Sequence, residues 1–203
     1  MMNKPKKTIA IDLDDVLAAN AEGFTNFSNK RWGTNLTKHD FQEDMQKMWG
    51  IEHKAAQRRF NVFVTSDTVS GYQNFAEARP VLEKLRLRYR LIIVTSRRSK
   101  LKEPTAAWVA VHFRGLFEEI HHTGFYDTED AQGHLSTKGD ICREIVANYL
   151  IDDHAKHCVA AAEAGLTALL FGDYAWNRSQ PIPDAVSRVA DWQAVEGYFD
   201  AQG

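Results

Sequence analysis

At 203 residues the chain can hold one sizeable domain with a modest insertion, and its 44% apolar and 26% charged content excludes a disordered or fibrous protein. A net charge of −2 excludes a global pull toward nucleic acid or acidic lipid, and two cysteines, Cys142 and Cys158, are too few for a disulfide framework and fit a reducing cytoplasm. No run approaches the ~18 apolar residues of a membrane span, and the basic stretch from Met1 to Lys7 leads into no leader-like apolar region. The expectation is a soluble, cytoplasmic protein with no membrane and no stable nucleic-acid partner.

The first apolar run, Thr8 to Ile11, is short and continuous, as in a strand buried on both faces, and it ends at once in Asp12, Asp14 and Asp15. From Val16 to Ala78 no buried strand is evident. The aromatics Phe24, Phe27, Trp32, Phe41, Trp49, Phe60 and Phe63 sit among helix-compatible residues, and a structureless run of this length is unusual. The expectation is a small helical insertion over residues 18–78, most of whose aromatics form its own core. Pro80 to Arg88 puts Val81, Leu82 and Leu85 on one helical face. Leu91 to Val94 predicts a second strand, followed by Thr95, Ser96, Arg97 and Arg98. Pro104 to Phe117 predicts a helix with Trp108, Val111 and Leu116 near helical spacing, and Glu119 to His122 a weaker strand. Lys138 to Ala147 predicts a helix with Ile141, Ile145 and Val146 inward, capped by Ser136 or Thr137. Asn148 to Ile151 predicts a strand running into Asp152 and Asp153. The Ala-rich helix from Asp153 to Ala164 ends at Gly165. Its His154, His157 and Cys158 read as surface-helix residues, since no second Cys or His pair stands at zinc spacing. Leu166 to Phe171 is a further strand, and Asp184 to Asp200 reads as one helix with Val186, Val189, Trp192, Val195 and Phe199 at helical spacing. Strands alternating with helices predict a three-layer α/β domain around a parallel sheet, with residues 1–17 and 79–203 as its core.

Ligands of open parallel sheets bind at the carboxyl ends of strands, near the point where the strand order reverses. Three strand ends here carry polar clusters: Asp12, Asp14 and Asp15; Thr95, Ser96, Arg97 and Arg98; Asp152 and Asp153. Each cluster alone fits turn or capping chemistry. Their coincidence at three strand ends fits a shared crevice better. In extended backbone Asp12 and Asp14 point to one side and Leu13 to the other. Two carboxylates so close raise the pKa of one of them, so that one can carry a proton while the other stays ionised. With Asp152 and Asp153 added, such a cluster calls for a cation, and hard oxygen donors suit Mg²⁺. Lys138 lies in a first helical turn, where a cation opposes the helix dipole; a bound phosphate with nearby carboxylates would account for it. Nine basic residues and one acid between Arg79 and Lys102 form a solvated face that could also steer an anion toward Thr95.

Together these residues resemble the haloacid dehalogenase superfamily of phosphotransferases. Asp12-Leu13-Asp14 with Val16-Leu17 resembles its first motif, Val94-Thr95-Ser96 the second, Lys138 the third, and Leu150-Ile151-Asp152-Asp153 the acidic fourth, all in order. The likeness is closer to the 5′(3′)-deoxyribonucleotidase branch, through Asp14-Asp15-Val16-Leu17-Ala18, Thr95-Ser96-Arg97-Arg98, Asp152-Asp153-His154, Ala161-Ala162-Glu163-Ala164-Gly165 and Trp176-Asn177-Arg178. It covers residues 8 to about 178, with the insertion matched only in position and size. The resemblance implies a Rossmann-like fold with a helical cap after the first strand. It further implies an Mg²⁺-dependent phosphomonoesterase acting on a small phosphoester such as a nucleoside monophosphate. Asp12 would be the nucleophile and Asp14 the acid and base. Thr95, Ser96 and Lys138 would hold the phosphate, with Asp12, the Asp14 carbonyl and Asp153 on the metal and Asp152 behind them. Arg97, Arg98 and Trp176 are candidate substrate contacts. One departure stands out: mammalian deoxyribonucleotidases place a base-contacting aromatic where this chain has Asn20, leaving Phe24 or Phe27 as substitutes. Rival readings are a phosphatase for a sugar, another metabolite or a nucleic-acid end, and a phosphate-binding protein without turnover.

Overall fold

The computed structural model describes residues 5–124 and 137–202; Ser136 and residues 1–4 of the basic N-terminal stretch lie outside them. The described residues build one sheet of six parallel strands in the order β3-β2-β1-β4-β5-β6. These are β1 (Lys7–Ile11), β2 (Tyr89–Thr95), β3 (Glu119–His122), β4 (Tyr149–Asp152), β5 (Thr167–Phe171) and β6 (Val186–Val189). The order reverses between β1 and β4, which pair directly, Ile11 facing Ile151. The carboxyl ends of β1, β2 and β4 therefore meet, as a shared crevice requires.

Alternation along the strands explains why the sheet is covered on both sides. Ile9 and Ile11 of β1, Leu91 and Ile93 of β2, and Ile151 and Leu169 join one apolar cluster, which includes Leu82, Leu85, Trp108, Trp192 and Phe199. Ala10, Ile92, Val94, Leu150, Ala168 and Leu170 face the other way and pack with Ile141, Cys142, Cys158 and Ala161. Helices α4 (Ala78–Arg88), α5 (Lys102–His112) and α8 (Trp192–Asp200) supply the first layer; α6 (Lys138–Glu144) and α7 (Ala155–Glu163) supply the second. Gly165, with φ +85°, stands just beyond α7, where its backbone N–H reaches the Ala162 carbonyl at 2.9 Å.

Between β1 and β2 the chain is helical: α1 (Asn20–Trp32), α2 (Met45–Trp49), α3 (His53–Val64) and two short 3₁₀ turns precede α4. An aromatic nucleus holds these helices together. Phe24 stacks on Trp49 at 5.6 Å and meets Phe63 edge-on at 4.5 Å. The two ends of the segment are tied to each other, since Ala18 pairs with Asn74 and the Phe75 N–H donates to the Leu17 carbonyl. No helix among the described residues is long and apolar enough to cross a membrane.

Three sequence expectations are corrected. The stretch from Asp184 is not one helix: β6 precedes α8, whose N-cap Asp191 accepts the Ala194 N–H at 2.8 Å. Val186 and Val189, three apart, would share a helix face, but in the strand they enter opposite apolar clusters. Val111 is 74% exposed, because the inner face of α5 is carried by Thr105, Trp108 and Val109 and the helix stops at His112. Val146 is also 74% exposed, since α6 ends before it.

Val146 has φ +53°, its N–H reaches the Arg143 carbonyl, and the next N–H, of Ala147, reaches Cys142. This is a Schellman turn with a β-branched residue where glycine is the usual occupant. Val146→Gly should therefore raise unfolding free energy by about 1 kcal/mol despite its looser unfolded chain. Denaturant unfolding checks this, and a loss of stability would show that the turn carries no strain.

Candidate active site

The site is built where β1 and β4 end. The Asp12 N–H donates to the Ile151 carbonyl at 2.9 Å, so the first residue beyond β1 is fixed to the last turn of ladder with β4. Leu13 is fully buried, while Asp12, Asp14 and Asp15 all line one cavity of about 390 Å³. Lys138, in the first turn of α6, reaches across the sheet end. Its ammonium is 2% exposed and lies 2.7 Å from Asp12 Oδ1 and 2.6 Å from Asp152 Oδ2. Thr137 caps that helix in a reciprocal box with Asp140.

Asp12, Asp152 and Asp153 each offer a carboxylate oxygen, and the three oxygens lie within 4.8 Å of one another. All three residues are buried, and a single ammonium does not balance them. Burial first, opposed by Lys138 and reinforced by the charges of Asp152 and Asp14, raises the Asp12 carboxyl to about 7. Burial, then Asp152 and Asp12, pushes Asp153 well above the usual carboxylate range. Burial works upward on Asp152 too, but Lys138 with His157 and His154 holds it below its ordinary value. Buried oxygen donors with surplus negative charge fit a divalent cation.

Asp14 stands apart from this cluster. Its carboxylate faces Arg97, whose Nε–H reaches Oδ1 at 3.1 Å and Oδ2 at 2.9 Å and whose Nη2 reaches Oδ1 at 2.6 Å. Thr95, at the end of β2, is 1% exposed, and its hydroxyl accepts the Arg97 N–H at 3.2 Å. Ser96, Arg97, Arg98, Lys138 and Asp153 line the cavity, whereas Thr95, Asp152 and Trp176 are not among its lining residues.

Among the candidate substrate contacts, several are already engaged by the protein. Asn20 lines the cavity, but its amide donates to Asp15 Oδ2 at 3.3 Å and accepts the Tyr72 hydroxyl at 3.0 Å. Arg98 donates to Asn61 in α3 at 2.9 Å and lies over the Phe60 ring. Trp176 donates its indole N–H to Asp153 Oδ2 at 2.7 Å and stacks on Tyr174. Phe24 lines the cavity with Phe41, Phe60 and Phe63; Phe27 packs on Trp32 and Phe63 instead.

The sequence assigns no role to Asp15, Asn177 or Tyr72, and the surface-helix reading of His154, His157 and Cys158 does not hold. Asp15, with φ +56°, accepts the Ala21 N–H at 3.0 Å from inside the turn, so its carboxylate anchors the start of α1. The buried Asn177 side chain ties the Asp153 and Phe171 carbonyls together at 2.8 and 2.9 Å; the Trp176-Asn177-Arg178 run was its only signal. Tyr72 reaches the site from the far end of the helical segment. His154 and His157 are not surface-helix residues: they line the cavity, and burial lowers both, His157 to about 4. Cys158 is fully buried, its thiol directed at the Asp152 and Leu169 carbonyls.

Residues 6–201 match the family described as 5′ nucleotidase, deoxy (Pyrimidine), cytosolic type C protein. The chain belongs to this family. It is accordingly an enzyme of the phosphatase and nucleotidase type. The fold is shared with a haloacid dehalogenase-like family hydrolase from Streptococcus pneumoniae, at 16% identity over 96% of this chain and 98% of that one, TM-score 0.69. A structure titled a predicted phosphatase, from Clostridium acetobutylicum, is 13% identical over 98% and 100% of the two chains, TM-score 0.68. L-2-haloacid dehalogenase from Xanthobacter autotrophicus is 8% identical over 98% and 100%, TM-score 0.64. At these identities the likeness is one of fold. No curated protein sequence matches the chain significantly.

The electrostatics set a pH dependence. Asp12 and Asp15 both stand near 7 in the folded protein, raised chiefly by burial, against 3.8 for the free side chain. The folded state thus holds their protons more tightly than the unfolded chain, and the stability this confers, full below 3.8, is lost as pH rises from there and is gone just above 7. The lowered histidines act the other way, but only below about 6.5, where the unfolded chain would protonate them. Unfolding free energy in chelator should therefore fall from pH 6.5 to pH 8, and fall less in Asp15→Asn. A rise over that interval would contradict the buried-carboxylate account.

Proposed function

We propose that the protein is an Mg²⁺-dependent 5′-nucleotidase that transfers the phosphoryl group of a nucleoside monophosphate to Asp12 and then to water. The observation that carries the reading is the Asp12 carboxylate: buried at the sheet switch point, paired with Lys138, and open to a cavity that Asp14 also lines. Asp12 attacks phosphorus, the bond from phosphorus to the ester oxygen breaks, and Asp14 delivers a proton to the leaving oxygen. Asp14 then takes a proton from water as that water attacks the aspartyl-phosphate, which returns the Asp12 carboxylate and releases phosphate. Lys138 and Ser96 face the phosphoryl oxygens, with Thr95 supporting them from the end of β2. Asp12, the Asp14 carbonyl and Asp153 would hold Mg²⁺, with Asp152 bracing Lys138 behind them. When bound, the ion supplies positive charge to offset that gathering on the phosphoryl oxygens.

Residues 18–78 act in this reading as a cap over a core of residues 1–17 and 79–203. The cap closes the cavity with Phe24, Phe41, Phe60 and Phe63, a surface suited to a flat base, and Gln46 and Gln57 lie among them. The family's own description points to deoxypyrimidine nucleotides, and to the cytosol as the place of action.

Phosphate release across nucleotides and sugar phosphates tests the substrate. Deoxypyrimidine 5′-monophosphates should be preferred, with activity present in Mg²⁺ and lost in chelator; preference for a sugar phosphate would overturn the nucleotidase assignment. Asp12→Asn should lower kcat by on the order of 10³-fold or more while thermal unfolding stays cooperative. Turnover at the wild-type rate would remove Asp12 from the mechanism.

A further inference from the structure

Arg97 reads from sequence as a substrate contact, yet its surroundings favour another task. The guanidinium side chain is 4% exposed, against 26% for Asp14. Both of its ends are fixed. The backbone N–H donates to Thr95, and the backbone carbonyl meets the His122 ring at 3.1 Å. At the tip, Nη1 donates to the buried Thr105 hydroxyl at 3.2 Å, and the plane lies over the Tyr72 ring, 5.5 Å from its centre. Tyr72 is itself held, its hydroxyl by Asn20 and its carbonyl by the Trp108 indole at 2.8 Å. A planar cation fixed on so many sides presents its remaining donors in one direction, and that direction is Asp14.

We infer that Arg97 is a positioning residue: it aims the Asp14 carboxylate at the ester and water oxygens and does not itself bind the phosphate. This rests on the reading of Asp14 as the proton carrier. The contacts are unequal. Oδ1 receives two donors, from Nε and Nη2, and Oδ2 receives Nε alone. Oδ2 is therefore the oxygen left with the greater free capacity, and it is the one that passes the proton to the leaving oxygen and later takes one from water. Lysine cannot reproduce the fork, since a point ammonium does not fix a carboxylate plane.

The test is a cycle of Arg97→Met, Asp14→Asn and the double variant, assayed on deoxythymidine 5′-monophosphate and on p-nitrophenyl phosphate, whose leaving group needs little protonation. Arg97→Met should lower kcat and kcat/KM on the nucleotide on the order of 10²-fold with KM nearly unchanged, and lower kcat/KM, which reports phosphoryl transfer to Asp12, far less on p-nitrophenyl phosphate. In the Asp14→Asn background it should cost less than about twofold more. Arg97→Lys should recover part of kcat. If Arg97→Met melts out, Arg97→Lys and Arg97→Gln carry the same cycle. A rise in KM with kcat intact, additive losses with Asp14→Asn, or equal losses of kcat/KM on both substrates would overturn the inference. A wild-type protein that hydrolyses neither ester would overturn the nucleotidase reading and the inference with it.

Discussion

The Lys138 ammonium, buried between Asp12 at 2.7 Å and Asp152 at 2.6 Å, joins the ends of the two strands at which the sheet reverses direction. Breaking such a buried pair by removing one partner costs roughly 3–5 kcal/mol, because the survivors keep their charge without compensation. The same contact orients the Asp12 carboxyl toward the cavity and holds Asp152 ionised. It also leaves one ammonium facing three carboxyl groups, an imbalance that pushes Asp153 toward its protonated form and that a divalent cation would relieve. Stability and chemistry thus share one constraint: three buried carboxylates around one buried cation.

A second set of bonds carries that geometry into the helical segment. Asp15 takes the left-handed conformation, its carbonyl accepts the Tyr174 hydroxyl at 2.7 Å, and its carboxylate receives the Ala21 N–H in the first turn of α1. Asp accepts this backbone region more readily than most residues. The Trp192 indole fixes the Val16 carbonyl at 2.9 Å, so the outgoing linker is held from the core side as well. Tyr72, on the returning linker, lies against Arg97 and hence beside Asp14. On the other rim, Glu43 receives Lys156 of α7 at 2.6 Å. The aromatic walls of the cavity are in this way placed relative to Asp12 and Asp14.

Much of this was legible in the sequence. Continuous apolar runs marked the strands because a sheet covered on both faces leaves them no polar side, and the polar clusters that followed three of them marked the crevice. The clusters at the ends of β1, β2 and β4 meet because these strands are neighbours, as the reading required. What failed to show has physical causes. Val186 and Val189 satisfy helix and strand periodicities alike, and only pairing with β5 decides between them. Val146 looked inward because its position continued the pattern of α6, but the helix ends before it. Arg97 sits one residue from Ser96, a proposed phosphate contact, and spacing cannot reveal that its side chain turns to Asp14, 83 residues away. His154 and His157 looked like surface residues on an Ala-rich helix; the helical segment folded over them makes them part of the cavity.

The central claim is that the phosphoryl group passes through Asp12. Acid-quenching the enzyme during turnover of a labelled nucleotide, followed by peptide mapping by mass spectrometry, tests it directly. The account predicts one phosphoryl group on the peptide that contains Asp12, absent from Asp12→Asn. Steady turnover with an unlabelled Asp12 peptide, or label on any other residue, would contradict it.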